Sequence, residues 1–336
     1  MNGLASHSTA APTLFLRAIG QLGDFVQAGR GCLFTFHRAA PASVWAELPN
    51  RDFYLDLDFL DALLRHLVSS GRDIVTIEEA LRRSASGNAR NYVNFSVDDC
   101  YRDTYELVIP LFRRHRVPVT IFLTTGIPDG TLPMWQAGLE QILRDRSSVM
   151  LEGAQVDTAT YEQKRQLFEA LSREWDGPRA GEFYAAFCAV NGADTEALHW
   201  QHAMSWEMLE RVAGDPYVEI GGHTISHPRI SSLADADAFH ELEGCRKRIE
   251  ERLSVPVRHF AFPYGRSGDC GGRDFALARK AGYASAATTT KGLVRKGTDP
   301  LRLPRNTLNG QHRSLPLAEL HLTGVTGIAA KVLNRV

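Results

Sequence analysis

The sequence predicts an α/β protein with a parallel sheet, either a (β/α) barrel or a doubly wound sheet. Two observations support this fold class. Short apolar runs rich in β-branched residues recur along the chain, and stretches with helical apolar spacing lie between them. The chain has 336 residues, 44% of them apolar, which is enough for one large core or two modest ones.

Short apolar, β-rich runs are interpreted as the strands of this sheet. In chain order they are CLFTFH, DIVTI, YVNFSV, VPVTIFLTT, YVEIGG, VRHFAF, YASAATT and LRLPRN. Helix-like segments lie between several of them, for example YELVIPLFRRH, AFHELEGCRKRIEERL and RDFALARKAGY. Gly282 closes the last of these, as a helix C-cap would.

One region breaks the alternation of strand and helix. From about 132 to 204 the pattern is helical, as in WQAGLEQILRD and YEQKRQLFEALSREW, and no strand is predicted there. We therefore expect a barrel over 32–310 that carries a helical insertion at about 132–204. An N-terminal helical extension over 1–31 and a C-terminal helical tail over 311–336 are expected to flank it.

The charge balance and the cysteines limit the partners and the compartment. The chain has 38 basic and 39 acidic residues, whereas phosphate binding needs a concentrated basic field, so nucleic acid is excluded as the main partner. Five cysteines are scattered and form no CxxC pair. We expect them to be the reduced thiols of a cytoplasmic protein.

Both ends of the chain carry apolar stretches with helical spacing. In APTLFLRAIGQLGDFVQAGRG no basic segment precedes the apolar residues, and Arg17 and Asp24 interrupt them, so neither a signal peptide nor a membrane span is predicted. Such spacing looks the same whether a helix faces a barrel or a bilayer. Contact of the terminal helices with the inner membrane surface therefore stays open beside packing on the barrel.

Chemically active side chains follow three of the predicted strands. Asp98 and Asp99 come after YVNFSV, His223 and His227 follow YVEIGG, and a Pro-Tyr-Gly turn, 263–265, follows VRHFAF. In parallel α/β folds the active site forms at the C-terminal ends of the strands. We therefore expect these side chains to lie on one face.

The adjacent carboxylates and the two histidines together predict a metal site. Two neighbouring carboxylates repel each other, and a nearby cation relieves that repulsion. Two imidazoles and one carboxylate form a three-ligand set with open positions, which is the pattern of a catalytic divalent metal. Zinc is the simplest occupant by ligand type, and iron, cobalt and nickel suit the same set.

Three ordered motifs resemble those of a known family. FSVDDCYRD, GGHTISHPRIS and FAFPYG are similar to motifs of the polysaccharide deacetylases, the NodB-homology domain of carbohydrate esterase family 4. Members of that family are metal-dependent amide or ester hydrolases that act on acetylated sugars. The resemblance extends from 33 to 306 and implies a deformed (β/α) barrel of seven or eight strands.

The resemblance also implies roles for individual residues. Asp98 would be the general base, and Asp99, His223 and His227 would hold the metal. The backbone N–H of Tyr264 would stabilise the oxyanion.

Further residues are expected at the substrate or beside the base. Pro263, Trp135 and Arg305 are predicted to contact substrate, Trp135 by stacking on a sugar ring. Ala261 stands where many relatives carry an arginine that orients the base, and Arg305 is the residue expected to supply that charge instead. Cys100 stands where the family commonly has glycine, and we expect a packed thiol there.

The proton donor to the leaving amine is not assigned by the motifs. His312 and His321 lie beyond LPRN and do not align with the late histidine of many relatives, so both are interpreted as structural. His37, after the first strand, is interpreted as a histidine of the core or the rim.

The function implied is removal of an N-acetyl group from an amino sugar in a glycan or glycan precursor. A nucleotide-linked or lipid-linked N-acetylamino sugar is the precursor we expect. The sequence leaves the oligomeric state of the protein open. Two alternatives remain: an amidase of the same fold that acts on a non-sugar amide or imide, and a non-catalytic carbohydrate-binding or scaffold protein.

Overall fold

Parallel pairing builds the main sheet of the computed structural model, which describes residues 30–86, 90–327 and 329. Its strands are β1 Gly31–Phe36, β4 Asp73–Ile74, β5 Tyr92–Asp98, β6 Val119–Leu123, β9 Val218–Gly222, β10 His259–Ala261, β11 Ser285–Ala287 and β12 Asn306–Thr307. Seven of them follow the order β11-β10-β9-β6-β5-β1-β12, and β4 pairs with β5 off this path. The predicted fold class, a deformed (β/α) barrel, is confirmed.

The segment 303–307 joins the two edges of the curled sheet. Leu303 pairs with Ala287 of β11, and Asn306 pairs with Phe34 of β1. Leu303 belongs to the apolar cluster inside the barrel. Side chains two residues apart on extended backbone share a face, so Arg305 also enters the barrel.

Helices cover the outside of the sheet and form most of the insertion. They are α1 Ala42–Trp45, α2 Leu57–Ser69, α3 Ile77–Ser86, α4 Ile109–His115, α5 Trp135–Asp145, α6 Tyr161–Glu174, α7 Ala180–Val190, α8 Thr195–His202, α9 Trp206–Glu210, α10 Asp235–Leu253, α11 Gly272–Lys280 and α12 Leu315–Thr323. Single-turn 3-10 helices span Arg51–Phe53, Ile230–Ser232 and Pro300–Arg302, and a π-helix spans Thr104–Val108. Within the described ranges, none of the helices is long and apolar enough to cross a bilayer.

The prediction that region 132–204 lacks strands is wrong in one place. An antiparallel hairpin joins β7, Ser148–Leu151, to β8, Ala154–Asp157. Its turn residues Glu152 and Gly153 both have positive φ, 49° and 80°, as a two-residue hairpin turn with matching twist requires. Each strand has only four residues, which is too short for an alternating pattern to stand out, and so helical spacing dominated the pattern.

A separate apolar cluster holds α5, α6, α7 and this hairpin together. Its members include Leu139, Phe168, Leu171, Trp175 and Tyr184. A short parallel pair, β2 Arg38–Ala40 and β3 Tyr54–Asp56, lies beside the main sheet. The predicted N-terminal extension falls on residues that are almost all outside the described ranges, and the expected domain boundaries stay predictions.

His321 of helix α12 forms a pair with His312, which precedes that helix. Their Nε2 atoms are 3.2 Å apart, and the His321 ring lies edge-on to Phe34. Burial and the neighbouring charge of Lys291 lower the pKa of both imidazoles, that of His321 to about 4. Both rings are therefore neutral in the folded chain at neutral pH, which supports their interpretation as structural residues.

We expect this pair to make the fold sensitive to acid. A histidine in the unfolded chain binds a proton near pH 6.5, so below that pH the unfolded chain binds more protons than the folded chain. The free energy of unfolding is therefore highest above about pH 6.5 and falls as the pH drops toward 4. Protonation of His321 alone should lower the free energy of unfolding by about 2 kcal/mol between pH 7 and pH 5. Urea denaturation of the unaltered chain and of His321→Gln at both pH values measures this effect. Equal pH dependence in the two proteins would contradict it.

Candidate active site

Strand β5 ends in the two carboxylates that the sequence singled out. Asp98 is the last residue of β5, and only 2% of its surface is exposed. The chain then turns sharply, because Asp99 and Cys100 have φ angles of 77° and 66°. Cys100 is fully buried, and burial raises the pKa of its thiol, so it packs as a neutral side chain.

Arg305 holds Asp98 with two parallel hydrogen bonds. Its Nη1 donates to Oδ1 at 2.8 Å and its Nη2 to Oδ2 at 2.9 Å. Arg305 also donates to Thr35 Oγ1, Ser96 Oγ and the Thr288 carbonyl at 3.0 to 3.1 Å. Its exposed fraction is 0%. The expectation that Arg305 contacts substrate is therefore corrected: it lies behind Asp98 and positions that carboxylate.

Asp98 is ionised in this environment. Burial by itself would raise the pKa of the carboxyl group, but the charge of Arg305 and the nearby His223 lower it, and the net pKa lies below its usual value. A carboxylate held in this way keeps lone pairs free for a proton.

His223 and His227, which follow β9, meet Asp99 across the end of the intervening strand β6. The Nε2 atom of His223 lies 3.3 Å from Asp99 Oδ1, and that of His227 lies 3.2 Å from the same oxygen. His223 directs Nε2 inward because its Nδ1 donates to the Ala261 carbonyl at 2.6 Å. These contacts bring together the three residues predicted as metal ligands.

The two glycines before His223 allow β9 to approach its neighbours. A Cβ at Gly221 would lie 2.6 Å from the Phe122 ring, and one at Gly222 would lie 2.4 Å from the Tyr283 hydroxyl. Larger residues would push the strand end outward. The Gly-Gly-His sequence therefore fixes where the His223 ring enters the site.

The donor set fits a divalent cation. Asp99 Oδ1 and His227 Nε2 are buried and have no hydrogen-bond partner within the described residues, although they lie close together. The three ligand atoms all lie within 4.8 Å of one another. Tetrahedral zinc ligands at about 2.0–2.2 Å from the ion are roughly 3.4 Å apart, close to the 3.3 and 3.2 Å between Asp99 Oδ1 and the two imidazole nitrogens. Burial opposes ionisation of Asp99, but the imidazoles of His227 and His223 hold its pKa well below the usual value.

His37, interpreted from the sequence as a histidine of the core or the rim, lies on the other side of Asp99 at the rim of the candidate site. Its Nε2 is 3.9 Å from Asp99 Oδ2, and its ring packs on Phe53 with centroids 4.8 Å apart. About a quarter of its side chain, 26%, is exposed. Its position directly after β1 was the available signal, because β1 ends on the same edge as β5.

The Pro-Tyr-Gly turn borders the same site. Tyr264 has a φ of 59°, and its ring lies 5.2 Å from that of His227 and under the Arg229 guanidinium. No acceptor in the described part of the chain bonds its backbone N–H. Pro263 is buried. The oxyanion role of Tyr264 and the substrate contact of Pro263 stay predictions.

Trp135 lies in the insertion. Its ring packs edge-on against Trp175, with centroids 5.9 Å apart, and it borders the insertion's apolar cluster. This contact is a packing contact between α5 and the end of α6. A stacking contact with a sugar ring stays a prediction for Trp135.

Comparisons with known proteins match part of the chain to a family and most of it to solved structures. Residues 180–286 match the model of the family described as polysaccharide deacetylase. The match includes His223, His227 and the Pro-Tyr-Gly turn but not the two aspartates. No curated protein matches the chain. The resemblance predicted from the motifs is confirmed over this part of the chain.

Solved structures share the fold at low sequence identity. The Streptococcus pyogenes deacetylase PplD, solved with acetate, has a TM-score of 0.60 and 13% identity over 88% of this chain and 99% of its own. IcaB from Ammonifex degensii has a TM-score of 0.57 and 16% identity over 88% of this chain and 98% of its own. A de-N-acetylase from Aggregatibacter actinomycetemcomitans has a TM-score of 0.55 and 11% identity over 86% of this chain and 98% of its own.

We expect Arg305→Ala to lower the free energy of unfolding by about 3–5 kcal/mol, because it leaves Asp98 buried without its partner charge. Chemical denaturation measures the loss. Adding Asp98→Asn should recover part of it, since the uncompensated charge is then removed. Arg179→Ala, at an exposed ion pair with Glu182, is the control and should change stability little. A loss in Arg305→Ala no larger than in this control would contradict the account.

Proposed function

We propose that the protein is a metal-dependent hydrolase that removes the N-acetyl group from an amino sugar in a glycan or glycan precursor. One observation supports this most directly. An ionised carboxylate that is no part of the ligand set, Asp98, is fixed by Arg305 beside a partly buried group of three metal-type ligands. A carbohydrate-binding protein has no need of a base in that position, which favours hydrolysis over the scaffold alternative.

Asp99, His223 and His227 would hold the cation. When bound, a divalent cation at such a site supplies Lewis-acid polarisation of the acetyl carbonyl and lowers the pKa of water. Every other step uses side chains and backbone of the chain itself.

Asp98 would act as the general base. It takes a proton from the water molecule whose oxygen adds to the carbonyl carbon, and Arg305 keeps the carboxylate in place as its charge is neutralised. The N–H of Tyr264 would donate to the developing oxyanion. Breakage of the C–N bond then releases acetate and the amine.

His37 would deliver the proton that the leaving amine needs. It lies across Asp99 from the histidine ligands, and part of its side chain is exposed to solvent. The packing of its ring on Phe53 restricts its orientation. Protonation of the nitrogen by a fixed imidazole avoids release of an amide anion.

Acetate release from N-acetylglucosamine oligomers, with zinc or cobalt supplied, tests the proposal. We expect Asp98→Asn and His37→Gln each to lower kcat by about 10²–10⁴-fold, because each removes a proton-transfer group. Asp237→Asn, an exposed position in the first turn of α10, is the control and should keep full activity. Far-UV circular dichroism checks that the variants fold.

Other outcomes point to the alternatives. Hydrolysis of a cyclic imide or formamide without release of acetate from any sugar would replace the sugar deacetylase with an amidase. Binding of sugars without hydrolysis of any substrate by the metal-loaded protein would favour the scaffold interpretation. Full activity in Asp98→Asn would contradict the assignment of the base.

A further inference from the structure

A short loop joins the two histidines of the candidate metal site, and its backbone is held in an uncommon conformation. Thr224 and His227 have φ angles of 71° and 58°. Residues other than glycine rarely adopt such angles, and they keep them only where surrounding contacts hold them in place. His223 directly follows β9 and is bonded to Ala261, whereas His227 lies beyond the loop. The position of the His227 ring therefore depends on what holds the loop 224–227.

Glu241 of helix α10 binds this loop through three hydrogen bonds. Its Oε2 accepts from the backbone N–H groups of Ile225, at 2.7 Å, and Ser226, at 3.0 Å. Its Oε1 accepts from Ser226 Oγ at 2.6 Å. One carboxylate thus satisfies every hydrogen-bond donor of the two central loop residues. Bonds to a carboxylate are roughly twice as strong as bonds between neutral groups, so this contact holds the loop firmly.

The opposite side of the loop is bonded to the chain that follows β6. Thr125 N–H donates to the Thr224 carbonyl at 3.1 Å, and Gly126 N–H donates to the Ile225 carbonyl at 2.8 Å. A Cβ at Gly126 would lie 2.6 Å from that carbonyl oxygen, so a larger residue there would push the loop away. The loop is therefore held from two sides, and a substitution at position 241 removes the contacts of one side only.

The face of α10 that carries Glu241 lies close to the loop and to the strand ends. Residues three and four apart share a helix face, which places Gly244 and Cys245 beside Glu241. A Cβ at Gly244 would lie 2.8 Å from Ile225 Cδ1, and Cys245 Sγ donates to the Leu123 carbonyl, at the end of β6, at 3.5 Å. The helix is thus fixed against the sheet, and Glu241 reaches the loop from a rigid element.

The contacts of Glu241 are reserved for the loop. Within the described part of the chain, all of its hydrogen bonds go to residues 225 and 226. Glu243, two residues later on the same helix, instead pairs with Lys247 at 3.0 Å. Removal of the Glu243 carboxylate changes the charge of α10 by the same amount as removal of the Glu241 carboxylate and leaves the loop contacts in place.

We propose that Glu241 is a positioning residue of the candidate metal site. Its carboxylate holds the loop 224–227 in the conformation in which His227 Nε2 lies 3.2 Å from Asp99 Oδ1, a separation that suits two ligands of one cation. The inference rests on the proposed function, because it concerns the ligand group assigned there. Without the carboxylate, the loop relaxes toward commoner backbone angles, and the His227 ring moves away from the other two ligands.

Zinc affinity tests this inference without any substrate. It is measured by competition with a chromophoric chelator, on protein that has been stripped of metal. We expect Glu241→Ala to raise the zinc Kd about 10–100-fold, the usual effect of losing a residue that orients a ligand. Glu241→Gln keeps an acceptor oxygen at the same reach and should raise the Kd by no more than about threefold.

Two further variants separate reach from charge. Glu241→Asp keeps the charge, but its side chain is one methylene shorter, and it should raise the zinc Kd about tenfold. Glu243→Ala is the matched control and should leave the Kd unchanged. Chemical denaturation of the metal-free proteins checks that each variant folds. If Glu241→Ala does not fold, the comparison of Glu241→Asp with Glu241→Gln decides in its place.

The outcomes distinguish this inference from the proposed function. A zinc Kd in Glu241→Ala and Glu241→Asp equal to that of the unaltered chain would overturn the inference and leave the proposed function standing. Equal rises in Glu241→Gln and Glu243→Ala would also overturn it, because the charge of the helix alone would then set the affinity. Zinc affinities that follow the expected order, in a chain that releases no acetate, would sustain the inference while the deacetylase proposal fails.

Discussion

The candidate active site depends on the buried pair of Asp98 and Arg305. The attraction within a buried ion pair offsets its desolvation penalty only when the geometry is good and the remaining hydrogen bonds are made. Here Arg305 bonds both Asp98 oxygens, and Thr35 and Ser96 of the barrel interior accept further hydrogen bonds from it. The pair holds Asp98 charged and separate from the histidines. Asp99, one residue later, is left as the carboxylate of the ligand group.

Local backbone geometry places the ligand residues beside this ion pair. Positive φ angles at Asp99 and Cys100 direct adjacent carboxylates to different partners, one into the barrel and one toward His223 and His227. Glycine residues in β9 bring the histidines close enough to meet Asp99. The insertion contributes Glu140, which fixes the loop beside His37. The barrel supplies the chemistry, and the insertion shapes the space next to it.

The features that could be predicted from the sequence are those that a local pattern of residues determines. The strand runs and the positions of Asp98, Asp99, His223 and His227 follow from short motifs at strand ends. The contact of Arg305 with Asp98 was expected from the alanine at position 261, but it joins residues 207 positions apart and its geometry depends on how the barrel closes. The approach of His37 to Asp99 depends on the same closure, and so the sequence left its role unassigned. The hairpin in the insertion was missed because each of its strands has only four residues.

Metal content per chain is the most direct test of the central claim, that Asp99, His223 and His227 hold a cation beside a free base. Elemental mass spectrometry would be applied to protein purified without an affinity-metal step, both before and after dialysis with zinc. The account predicts close to one ion per chain in the unaltered protein and in Asp98→Asn, and a large loss in His223→Ala. Equal metal content in all three proteins, or none in any after zinc is supplied, would contradict it.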